Sequence, residues 1–84
     1  MITVKAAFYK MKKYLASNYR ILDMSESSKA FIFGTSDNDR FGYDIVDKNT
    51  GKIDFMWMPN YFDIVDTGDI KEIDISQFES DKVF

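Results

Sequence analysis

The sequence predicts an α+β domain: an N-terminal helix packed on one face of a four- or five-stranded antiparallel meander sheet. Three observations predict it. Apolar residues recur at three-and-four spacing near the N-terminus and at two-residue spacing from residue 19 onward. Polar turns, several carrying glycine, divide the second part at short intervals. Eight Phe, five Tyr and one Trp among 84 residues supply enough ring area for one small core and leave no room for a second domain.

The elements follow in order. Thr3 is placed as the N-cap of a helix over residues 4–17. Val4, Ala7, Phe8, Met11, Tyr14 and Leu15 form its apolar stripe, with Lys5, Tyr9, Lys12 and Lys13 largely off it. Lys10, Lys12 and Lys13 stand towards its C-terminal half, where the macrodipole favours cations. Asn18 suits the left-handed residue that ends the helix, with Tyr19 packing back on Tyr14. Strands are read at residues 19–24, 30–35, 41–47, 52–58 and 70–76. Pro59 stops the fourth, Asn60 caps a short turn over residues 61–65, and residues 77–84 read as a partly ordered tail.

Residues 48–52, Lys-Asn-Thr-Gly-Lys, fit a type I turn with Gly51 left-handed. That turn sets Lys48 opposite Lys52, Ile45 opposite Phe55, Tyr43 opposite Trp57, Asp44 opposite Met56 and Val46 opposite Asp54. One face then holds Phe41, Tyr43, Ile45, Ile53, Phe55 and Trp57, and the other Gly42, Asp44, Val46, Asp54, Met56 and Met58. The second face is too apolar for open solvent. Either a partner covers it, or residues 59–84 fold over it with Tyr61, Phe62, Ile64 and Phe78.

The formal net charge of −3 hides an asymmetry. Residues 1–29 carry six basic and two acidic side chains, and residues 30–84 carry five basic and twelve acidic ones. With neither Cys nor His, the chain excludes disulfides, thiol nucleophiles, Cys/His zinc sites and Ser-His-Asp triads. It has no membrane-length apolar run and no signal-peptide pattern, so the expected compartment is the cytoplasm. Residues 37–42 echo the start of an EF-hand loop, but Phe41 and Lys48 stand where oxygen ligands belong. The segment is read as a solvated turn, and no metal or cofactor is expected. Asp44 and Asp54 share a predicted face, yet so small a domain offers no cleft for acid–base chemistry, and no enzyme is expected. The four glycines stand apart and build no phosphate cradle.

Gly42-Tyr43-Asp44-Ile45-Val46-Asp47-Lys48-Asn49-Thr50-Gly51-Lys52-Ile53 resembles a hairpin of small bacterial immunity and immunity-like proteins. The order of elements resembles cystatin-like and PepSY-like domains in architecture. The hairpin covers a small part of the chain, and no binding residue transfers with it. The absence of a catalytic set, the compact single domain and the Asp-rich strand and turn surface predict a protein-binding inhibitor of the immunity or phage anti-defence kind, docking on a basic and nucleic-acid-processing enzyme. The candidate contacts are Asp37, Asp39, Asp44, Asp54, Asp63, Asp66 and Asp69, with Met56, Trp57 and Tyr61 as apolar anchors. Two alternatives stand beside this reading. The chain is a nucleic-acid-binding accessory protein using Lys5, Lys12 and Lys13, although the acidic remainder disfavours nucleic acid. Or it self-associates through the fourth or fifth strand, so both monomer and homodimer are admitted.

Overall fold

The computed structural model describes residues 1–37 and 40–79. Its elements are α1 (Val4–Leu15), β1 (Ile21–Glu26), β2 (Ala30–Thr35), β3 (Gly42–Asp47), β4 (Ile53–Trp57), α2 (Met58–Asp66), β5 (Lys71–Ile73) and α3 (Ser76–Glu79). The fold is α+β, with one five-stranded antiparallel sheet in the order β4-β3-β2-β1-β5. Among the described residues no helix is long and apolar enough to cross a membrane.

Thr3 caps α1 as expected, its Oγ1 accepting from the Ala6 N–H at 3.1 Å. The helix ends earlier than expected. Ala16 takes φ 54° while its N–H still donates to the Lys12 carbonyl, so the reversal falls on Ala16 and not on Asn18. Ala7, Phe8, Met11 and Leu15 are buried in one cluster with Met24, Phe31, Phe33 and Val46 of the sheet. Phe78 completes that cluster, stacking on Phe8 at 4.8 Å between ring centroids. The segment read as tail therefore contributes to the core at this point.

β2 keeps its expected bounds, and β1 runs two residues later than expected. Ser27 is the reason. Its buried Oγ accepts from the Lys29 and Ala30 N–H groups and closes the β1–β2 turn after Glu26 instead of before Ser25. The fifth strand differs in place as well as length. Only residues 71–73 pair, and they lie against β1 at the far edge from β4. The meander is thus four-stranded, and α2 carries the chain back across the sheet.

The β3–β4 register is shifted by one residue from the expected one. Asp44 lies opposite Phe55, Ile45 opposite Asp54 and Tyr43 opposite Met56. The cause is the turn. Asp47 Oδ1 accepts from the Asn49 and Thr50 N–H groups, and the Asp47 N–H bonds the Lys52 carbonyl, so the loop is closed by Asp47 and Lys52. Gly51 does adopt positive φ, 72°. Gly42 has a different role. A Cβ there would meet the Met56 carbonyl at 2.0 Å and the Phe55 ring at 2.7 Å. The Phe55 ring thus lies across a strand position that admits no side chain.

Candidate functional site

The slipped register sorts the candidate residues between two sheet faces. Asp44 and Val46 share the α1 side with Phe55 and Trp57, while Tyr43, Ile45, Asp54 and Met56 share the other. Asp44 and Asp54 are therefore not a carboxylate pair. Asp44 is 5 % exposed and bonds Arg40 Nη1 at 2.8 Å, and the same guanidinium lies 4.1 Å from the centre of the Phe55 ring. Asp44 is a buried carboxylate covered by a partly exposed arginine, not a displayed charge, which corrects its expected place at a partner surface.

The slip splits the expected second face: α2 covers Tyr43, Ile45 and Met56, while Asp44 and Val46 turn to the α1 side and Phe78 packs there with them instead of folding over Met56. Local sequence explains the helix. Pro59, expected to stop the fourth strand, sits in the first turn of α2, where the missing N–H costs nothing, and Asn60, expected as a cap, lies inside the helix. The Met58 N–H donates to the Phe41 carbonyl at 3.1 Å and ties the helix start to the sheet. At the other end Gly68 takes φ 76° and bonds the Val65 carbonyl, and the Asp69 N–H bonds the Ile64 carbonyl. That is a Schellman closure, and it satisfies carbonyls that would otherwise stand free.

Met58, Tyr61 and Ile64 recur at threefold spacing and are half-buried, giving α2 its sheetward stripe. Tyr61 stacks on Tyr43, with 4.3 Å between ring centroids. Burial, and then the neighbouring Tyr61 and Asp23, hold the Tyr43 phenol above its ordinary pKa. A groove of about 420 Å³ runs beside the helix, lined among others by Ile45, Met56, Asn60, Asp63, Ile64 and Lys29.

The outer side of α2 is unlike its inner side. Phe62 is 56 % exposed, and Val65, Asp63 and Asp66 are exposed with it. Two further large rings stand open near the helix start, Phe41 at 72 % and Trp57 at 60 %. The helix carries no basic residue, and Asp63 and Asp66 lie towards its C-terminal end, where a carboxylate opposes the macrodipole. Across the sheet, α1 presents Lys5, Lys10, Lys12 and Lys13, with the Lys10 ammonium bonded to the Gly51 carbonyl.

The other candidates are placed as follows. Asp54 is exposed, and its carboxylate accepts from the Phe55 N–H at 2.8 Å. Met56 is half-buried below α2. Asp69 is a structural clamp, accepting from both the N–H and the hydroxyl of Ser28. Asp37 is half-buried, with its N–H on Thr35 Oγ1, and Asp39 lies outside the described residues. The sequence did not mark Phe62 as an anchor, and in one of its two readings of the second face it placed Phe62 over the sheet. The available signal was its phase, since it falls between the Met58, Tyr61 and Ile64 positions. Among the described residues no group of His, Cys, Asp and Glu side chains could hold a metal ion. No family model matches the chain, and neither curated proteins nor solved structures show a match to it.

Proposed function

We propose that the chain is a small acidic protein-binding module, an inhibitor of the immunity or phage anti-defence type that covers a basic surface of a nucleic-acid-processing enzyme. The observation that carries this reading is the outer side of α2. Phe62 offers an apolar anchor, and Asp63 and Asp66 stand three residues apart beside it. A helix selected for stability alone would place cations at those last-turn positions and would bury its Phe. Tyr61 and Met56 support the helix from below.

The acids supply steering, and the rings supply the residence time. The test uses the intact chain as bait in extract of its native host, followed by association kinetics with the protein captured. The expected partner binds the wild type, escapes the triple variant Phe62→Ala, Asp63→Asn, Asp66→Asn, and associates about tenfold more slowly as salt is raised from low to physiological. A captured protein that binds the triple variant equally well, at a rate indifferent to salt, would sink this reading.

One observation favours a second reading. Lys12 and Arg20 line an open cavity of about 260 Å³ together with Phe8, Leu15 and Tyr19 on the opposite face. Cations beside a ring suit a single-stranded nucleic acid. Absence of a shift in low-salt fluorescence anisotropy with labelled oligonucleotides at micromolar protein would remove it.

A further inference from the structure

The two edges of the sheet are built differently. β5 is three residues long and carries exposed Lys71 and Glu72, and shortness and charge both discourage further pairing. β4 is longer, and its nearest lysine and proline, Lys52 and Pro59, stand outside it. The ladder fixes which of its groups look outward. The Asp47 N–H bonds the Lys52 carbonyl and the Met58 N–H bonds the Phe41 carbonyl, so even-numbered residues of β4 face β3. The N–H and C=O of Ile53 and Phe55, and the N–H of Trp57, then point off the edge. The Asp54 carboxylate bonded to the Phe55 N–H agrees with this phase, because that donor has no strand partner.

We propose that β4 pairs antiparallel with β4 of a second copy of the chain, centred on Phe55 opposite Phe55. The register follows from the side chains. Outward groups must meet outward groups, and three alignments pair more than one outward position of the strand. Setting Ile53 opposite Phe55 brings the two Asp54 carboxylates face to face, an unfavourable pair. Setting Phe55 opposite Trp57 puts Ile53 against Pro59, which has no N–H to give. The central alignment places Asp54 opposite Met56, uses the whole strand, and lays Trp57 over Ile53 at both ends. On pairing, the Phe55 N–H leaves its own Asp54 carboxylate and donates to the Phe55 carbonyl of the second copy, whose Phe55 N–H donates back in the same way, and each Trp57 N–H donates to an Ile53 carbonyl. The strand is complementary to itself about Phe55, which is what a two-fold contact requires. The exposed Trp57 ring gains cover it lacks in the single chain.

Sedimentation velocity and light scattering across a concentration series test the idea, with Trp57→Lys as the disrupting variant. Because the chain has no cysteine, Phe55→Cys and Asp63→Cys report cross-linking at one chosen position each. The expected results are a mass approaching twice 9.8 kDa as concentration rises, a monomer for Trp57→Lys with unchanged circular dichroism, and oxidative cross-linking through position 55 but not 63. A wild-type chain that stays monomeric to millimolar concentration overturns the proposal. So does a dimer that survives Trp57→Lys and cross-links through position 63.

Discussion

The two helices sit on the same sheet by different means. α1 buries Ala7, Phe8, Met11 and Leu15, whereas α2 buries none of its residues completely. α1 is held by apolar area, and its lysines are incidental to that. α2 is held at its ends, by the Met58–Phe41 bond and by Asp69 bonded to Ser28, and by one half-buried stripe between them. A helix fixed at its ends leaves its outer positions free of structural duty. The difference therefore separates a face that makes the fold from a face available for recognition.

The sharpest way to break this contrast is to truncate one ring on each side. Phe8→Ala removes a ring that touches both the sheet cluster and Phe78, and a loss of about 3–5 kcal/mol is expected. Phe62→Ala, at a largely exposed site, should change stability by less than about 0.5 kcal/mol. Urea unfolding of the two variants measures both. Similar losses would mean that α2 is as integral to the core as α1.

A smaller effect sharpens the same contrast among the charges. Asp44 on the α1 side is buried against Arg40, and Asp63 and Asp66 on α2 make no ion pair with any described residue. Arg40→Ala strands a buried carboxylate and uncovers the Phe55 ring. Breaking a fully buried pair costs 3–5 kcal/mol, and since the Arg40 side chain is 38 % exposed, about 2 kcal/mol is expected here. Thermal unfolding of Arg40→Ala beside Arg40→Lys checks it, because lysine restores the charge but not the guanidinium over the Phe55 ring. Equal midpoints for wild type and Arg40→Ala would show that the pair is solvated.

What the sequence made legible follows the same division. The α+β class, the Thr3 cap and the whole of β2 could be read from period and turn chemistry, because their burial is one-sided or their turn residues unambiguous. The β3–β4 register could not. Both faces of that hairpin are covered by helices, so Tyr43 and Ile45 fit either neighbouring set, and alternation loses its power to choose. Asp44 misled further, since a carboxylate on a strand reads as solvent-facing until an arginine four residues earlier is seen to fold over it. The position of β5 depends on α2 crossing the sheet, a long-range event that short turns do not announce. Of the candidate site, Asp63 and Asp66 were legible as exposed acids, while Asp69 was not legible as a clamp because its partner, Ser28, is 41 residues away.

The smallest effect carries the most information, because its sign differs between the two explanations of α2. If Asp63 and Asp66 are there for the fold, replacing them must cost stability. If they serve recognition, the isolated chain bears a small burden from carboxylates at a helix end that repels them. Each such charge is worth about 0.3–1 kcal/mol at low ionic strength. The double variant Asp63→Asn, Asp66→Asn should then be more stable than wild type, with a midpoint raised by a few degrees, since about 1 kcal/mol moves a domain of this size by roughly 4–8 °C. The gain should shrink as salt is added, because screening weakens the repulsion that was removed. The same variant should associate more slowly with a basic partner, so stability and binding would move in opposite directions. A lower midpoint for the double variant, at any salt concentration, would return both aspartates to the fold and leave the outer side of α2 without a reason for its acids.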